Sequence, residues 1–136
     1  MRGRDNKPET VDRWERKDWW GVVLEAPDPR RLLHFYSDLL NVPIHKESDE
    51  GGALDFGQGV AYLAIQQAEE YEPPVWPPAS GRQGMQLHLD FEVDDLAAAT
   101  EHALELGATL AEHQPQDDVR VLLDPAGHPF CLYVMG

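Results

Sequence analysis

Two stretches of the chain, whose opening strands align at an offset of 67 residues, spell the same plan, and this repetition limits the fold more than any other feature. The first is "WWGVVLEAPDPRRLLHFYSDLLNVPI", residues 19–44; the second is "MQLHLDFEVDDLAAATEHALELGATL", residues 85–110. Each opens with alternating apolar residues, as a half-buried strand does, and then changes to helical spacing. In the first, Asp28 is placed to cap the helix and Pro29 suits its first position. Leu32, Leu33, Phe35, Tyr36, Leu39 and Leu40 make the apolar stripe, and Asn41 is the stop. In the second, Asp94 or Asp95 caps, Leu96, Ala99, Ala103 and Leu106 make the stripe, and Gly107 closes it. Short apolar segments follow each helix, at residues 42–46, 53–56 and 60–66, then at 109–112, 119–123 and 130–134. Each half therefore reads strand–helix–strand–strand–strand. This predicts an α+β fold of two βαβββ units, about residues 19–67 and 85–135, in one domain spanning 19–136.

Side-chain parity sets the facing of the opening strands. Val22, Leu24 and Ala26 form the face that packs on the first helix, and Leu89, Phe91 and Val93 the equivalent face of the second unit. Gly21, Val23 and Glu25, and likewise His88, Asp90 and Glu92, then point to the open side of the sheet. His88 is the counterpart of Gly21.

Charge narrows the partners. There are 25 acidic and 11 basic side chains, and six of the basic ones precede residue 19. Residues 1–18 show no apolar periodicity and read as a flexible charged arm, with room for a short helix at 11–16. The remainder is strongly acidic. Such a surface repels phosphate backbones, which argues against nucleic acid, and attracts cationic small molecules. No run of 18 apolar residues exists, so no membrane span is expected. The absence of a secretory leader pattern and the single cysteine fit the cytoplasm.

Between the repeats, within a linker at residues 68–84, "YEPPVWPPASGRQG" carries four prolines around Trp76. Its backbone must be extended and loop-like. It reads either as a linker whose aromatics cover the core edge or as a lid over a pocket. His34, His45, His102 and His113 lack ligand spacing, and His128 falls in the turn before the last strand, at the rim. "GQG" at 57–59 reads as a hairpin turn, and neither a Ser–His–Asp order nor a phosphate-cradling loop appears.

"HLDFEVDDL", with His88, Phe91, Val93 and Asp95, and "DPAGHPFCLY", with Asp124, Pro125 and Gly127, resemble the vicinal oxygen chelate superfamily of glyoxalase I, extradiol dioxygenases and bleomycin-resistance proteins. The likeness runs from Trp19 to Tyr133. It implies sheets curled into half-cups with helices outside, a pocket on the cup face, and a homodimer. In metal-dependent members each unit places a ligand on its first and last strand. Carried over, these positions are His88, Cys131 where a glutamate is usual, Gly21, and Ala64 or Gln66. His88 and Cys131 are thus the metal candidates in an incomplete site. No cofactor is expected, although a divalent zinc, nickel or iron could be held. Glu25, Gln66, Trp76, Asp90, Glu92, Cys131 and Tyr133 are the pocket candidates. The acidic body favours a small-molecule binder that sequesters a cationic, antibiotic-like ligand. The alternative is a glyoxalase-like lyase or isomerase with His88 as the catalytic residue. Cys131 reads as a small buried hydrophobe or, beside a His88 imidazolium, as a thiol of lowered pKa.

Overall fold

The computed structural model describes residues 1–4 and 8–136; residues 5–7 of the arm lie outside the described residues. The chain forms two compact units, Met1–Ala68 and Glu69–Gly136.

In the first unit, β1 (Trp20–Ala26) leads into α1 (Pro29–Leu40), followed by β2 (Ile44–Ser48), β3 (Gly51–Leu54) and β4 (Ala61–Gln67). The strand order is β1-β4-β3-β2, with β1 and β4 parallel and the other pairs antiparallel. The helix bounds follow local chemistry. The Asp28 carboxylate accepts the Arg31 N–H at 3.2 Å, and Pro29 occupies the first turn, where a missing N–H costs nothing. Asn41 ends the helix in the left-handed region with φ 52°. Leu32, Leu33, Phe35 and Tyr36 are buried, as are Ala26, Leu63 and Ile65 of the strands beneath.

The second unit repeats this arrangement with β5 (Leu89–Glu92), α2 (Leu96–Glu105), β6 (Thr109–Leu110), β7 (Val119–Leu123) and β8 (Pro129–Tyr133), in the order β5-β8-β7-β6. Asp95 is the cap, accepting the Ala98 N–H at 3.0 Å. Ala103 of α2 is fully buried, and Phe130, Leu132 and Leu122 of the sheet are buried with it in the core. The expected α+β architecture of two βαβββ units is thus observed, with a mixed four-stranded sheet and one helix in each.

Strand bounds differ in several places, and β6 spans two residues where four were expected. β2 starts at Ile44 because Pro43 has no N–H to offer a ladder. β3 starts at Gly51, earlier than the apolar pattern suggests; the glycines are part of the strand, since a side chain at Gly52 would press on Leu33 and the Lys46 carbonyl.

One buried carboxylate organises the turn that launches β8. Asp124, with no side-chain exposure, accepts the backbone N–H groups of Ala126 (2.9 Å) and His128 (3.0 Å). It also accepts from His128 Nδ1 at 2.8 Å. In the neutral ring this leaves Nε2 to accept the Tyr71 hydroxyl at 3.2 Å. His128 is therefore a strut between the turn and the proline-rich segment. Gly127, with φ 90°, completes the turn, and a Cβ there would lie 2.8 Å from Pro73. Removing the carboxylate strands three donors, so Asp124→Ala should cost about 2–4 kcal/mol in urea unfolding. Loss under 1 kcal/mol would show that the turn holds itself without Asp124.

Candidate functional site

Parallel pairing of β5 with β8 places Asp90 beside Cys131 and Glu92 beside Tyr133. Inward-facing Leu89 and Phe91 fix the orientation, since alternate residues must then face away from α2. His88 stands one residue before β5 on the same outward parity. Its Nε2 lies 3.1 Å from Asp90 Oδ1, with the two side chains 38% and 57% exposed. Nitrogen, oxygen and sulfur donors of His88, Asp90 and Cys131 all fall within 4.8 Å of one another.

These three residues and Tyr133 line a concavity of about 290 Å³. Its remaining wall includes Gln116 and Asp118 of the β6–β7 loop and Met135 after β8. The sequence reading passed over Asp118 because the loop has no periodicity. The signal is topological: β7 pairs antiparallel with β8, Val119 opposite Tyr133, so the residue before β7 must arrive at the open end of β8. The Val134 N–H donates to the Asp118 carbonyl at 3.1 Å, and the Arg120 guanidinium braces the loop through the carbonyls of Asp117 and Val119.

Other sequence candidates fall elsewhere. Glu92 is exposed on the same face but does not line the concavity, and neither does Trp76. Trp76 has its ring centroid 6.2 Å from that of His113, and its buried Nε1 finds no acceptor among the described residues. Glu25 and Gln66 are cross-strand partners on the first sheet, where Gln66 Nε2 donates to Glu25 Oε1 at 3.0 Å. Gly21 is covered: a Cβ there would collide with the Tyr62 ring.

Of the two readings of Cys131, the thiol of lowered pKa is not found. Partial burial and the Asp90 carboxylate push the Cys131 thiol up to about 11. Its charged neighbour is an anion, which opposes a second negative charge. At neutral pH Cys131 is a protonated thiol, accessible on one side and poorly nucleophilic.

Residues 21–133 match the profile of a family described as the glyoxalase-like domain. No curated protein matches the chain significantly. A glyoxalase/bleomycin resistance protein/dioxygenase family enzyme from Burkholderia phytofirmans PsJN superposes with TM-score 0.64 at 19% identity, over 84% of this chain and 95% of that one. Fosfomycin resistance protein FosX from Mesorhizobium loti gives 0.63 at 15% identity, over 88% and 93%. A glyoxalase family protein from Enterococcus faecalis gives 0.59 at 22%, over 86% and 97%. At such identities these likenesses speak for the fold. With the family match, they confirm the resemblance to the vicinal oxygen chelate superfamily.

The thiol chemistry is measurable. Alkylation of Cys131 by iodoacetamide should be slow at pH 7 and climb steeply between about 9 and 11. Asp90→Asn should move that rise to lower pH. The folded chain holds this proton more tightly than the unfolded chain does. The associated stability is therefore complete below about pH 9 and lost as pH rises to about 11. A fast, pH-independent reaction at neutral pH would refute the assignment.

Proposed function

As the chain belongs to the glyoxalase-like domain family, we propose that it is a small-molecule-binding protein of the glyoxalase/bleomycin-resistance type, with a cationic ligand received on the concave face of its second unit. The observation that carries this reading is the composition of that concavity. Asp90 and Asp118 supply carboxylates, Tyr133 supplies a ring, and no lysine or arginine is among the lining residues. The chain as a whole carries a formal charge of −14, which adds long-range attraction for cations. A homodimer belongs to the same proposal; light scattering at twice the 15.3 kDa chain mass is its test.

Bleomycin, a bulky cationic probe, should bind with an affinity that weakens roughly tenfold as ionic strength rises from 0.01 to 0.15 M, where the screening length shrinks from about 30 to 8 Å. Asp90→Asn and Asp118→Asn should each weaken it further. Calorimetry that finds the same affinity at both salt levels, or in both variants, removes the cationic ligand.

A second reading rests on the His88–Asp90–Cys131 trio. Imidazole, carboxylate and thiolate fit zinc better than magnesium or calcium, and three protein donors leave a coordination position open. A metal held there would act as a Lewis acid on a bound carbonyl. His88 is the proton-moving group of a lyase or isomerase in this reading. His88 Nε2 lies 3.1 Å from Asp90 Oδ1, so the carboxylate is near enough to orient the ring. A bound metal must displace the Cys131 proton, so zinc uptake should strengthen as pH rises. Mass spectrometry of protein prepared without chelator separates the readings. About one zinc per chain, lost in His88→Ala, selects the metal site; no metal, even after titration, leaves the binder.

A further inference from the structure

A second concavity is lined wholly by residues of the first unit, three of which lie outside the family match. The match begins at residue 21, whereas Arg13, Trp14 and Trp19 precede it. Asp12 caps a short 3-10 turn, Arg13–Glu15, by accepting the Trp14 N–H at 2.9 Å. Three further ties anchor this segment. Arg13 pairs with Asp55 at 2.7 Å, beside the end of β3. Arg16 grips Asp18 through two bonds, at 2.9 and 2.6 Å, with side chains only 11% and 5% exposed. Trp19 Nε1 donates to the Arg13 carbonyl at 3.2 Å.

The ties park the Trp14 ring against two others, with the Arg13 guanidinium 4.5 Å from its centroid. Its centroid is 5.5 Å from that of Trp19, with planes 30° apart, and 5.1 Å from that of His45, at 27°. Trp14 nevertheless remains 55% exposed, and Phe56 nearby 40% exposed. A segment held only for packing would bury its largest ring. Here the rings of Trp14, Trp19, His45, Phe56 and Tyr62 instead surround a space of about 310 Å³. Tyr62 lies over Gly21, so the strand position equivalent to His88 offers an aromatic surface in place of a ligand atom.

The electrostatics differ from those of the second unit. The formal charges at this cavity are Arg13 and Asp55, already neutralising each other. Arg13, then the Gly57 N–H, hold the Asp55 carboxyl below its usual range, so the pair stays ionic at neutral pH. A charged guest would meet no net counter-charge and would lose its hydration. A flat neutral guest would meet rings on several sides, with His45 and the ion pair at hand to accept or donate one hydrogen bond.

We propose that this cavity, lined by first-unit residues alone, is a further small-molecule site, and that it takes a neutral planar aromatic compound of two or three fused rings. The volume lies at the small end of ligand pockets, which begin near roughly 300 Å³.

Coumarin, neutral and bicyclic, is the probe, and saturation-transfer NMR with calorimetry on the full chain is the readout. Saturable binding is expected, weakened at least ~10-fold by Trp14→Ala and largely restored by Trp14→Phe, which returns a ring to the stack. Phe56→Ala should weaken it at least ~5-fold, whereas His88→Ala should leave it unchanged. Circular dichroism checks that each variant is folded, and both tested rings are exposed enough to be removed without emptying the core. The proposal is overturned by no saturable binding of coumarin, by equal affinity in a folded Trp14→Ala chain, or by equal affinity for cyclohexanol, which has no ring face to stack. Loss of binding in His88→Ala would place coumarin on the second unit and also overturn it. Failure of the cationic-ligand reading leaves each of these outcomes unaffected.

Discussion

A β-strand cannot aim two consecutive side chains at the same neighbour, and the rest of this structure depends on that constraint. Once Leu24 and Ala26 pack toward α1, Glu25 must face the other way; once Leu89 and Phe91 pack toward α2, so must His88, Asp90 and Glu92. Parallel partners then extend the rule sideways. Cys131 and Tyr133 share a face with Asp90 and Glu92 because β8 lies in register beside β5. The burial of Phe130 and Leu132 therefore supports the core and aims the site with the same residues. Each such side chain contributes about 1.5–3 kcal/mol by leaving water, so slipping the register to re-aim the site would forfeit several of them.

The two units obey this rule identically but have filled their open faces with different chemistry. The 67-residue offset pairs His88 with Gly21, Asp90 with Val23 and Cys131 with Ala64. Every donor of the second unit's trio thus meets, in the first, a residue without a donor atom. The register itself is preserved: Glu25 beside Gln66 answers Glu92 beside Tyr133. Polar donors are concentrated on one sheet, while the other gains aromatic surface from a segment outside the repeat. One topology has thus been used for two kinds of concavity.

What could be read from the sequence was local or periodic. The caps Asp28 and Asp95, the αL stop at Asn41 and the facing of β1 and β5 depend on residues within a few positions of one another. The cluster of His88, Asp90 and Cys131 was partly legible, because parity gave the face and the terminal motif gave the strand. The pKa of Cys131 was not, since it is raised first by burial and then by the Asp90 carboxylate, and the depth of the thiol leaves no mark in the sequence. Nor was Asp118, which owes its place to a strand pairing rather than to any pattern in its own loop. The aromatic cavity was hidden for the same reason: the Arg13–Asp55 pair joins positions 42 apart, and stacked rings leave no spacing in a sequence. The apolar pattern also misjudged Gly51 and Gly52, which look like breakers yet sit where close neighbours leave little room for a side chain.

The distribution of indole rings carries an optical consequence. Of the four tryptophans, Trp14, Trp19 and Trp20 belong to the first unit and only Trp76 to the second. The indoles that emit in the ultraviolet are therefore three to one in favour of one half of the molecule, and two of them form a stacked pair. Melting curves followed by emission will describe the first unit foremost. The acidic concavity has no indole in its wall and is spectroscopically quiet, so events there are better followed by labelling its thiol or by the chemical shifts of its histidine.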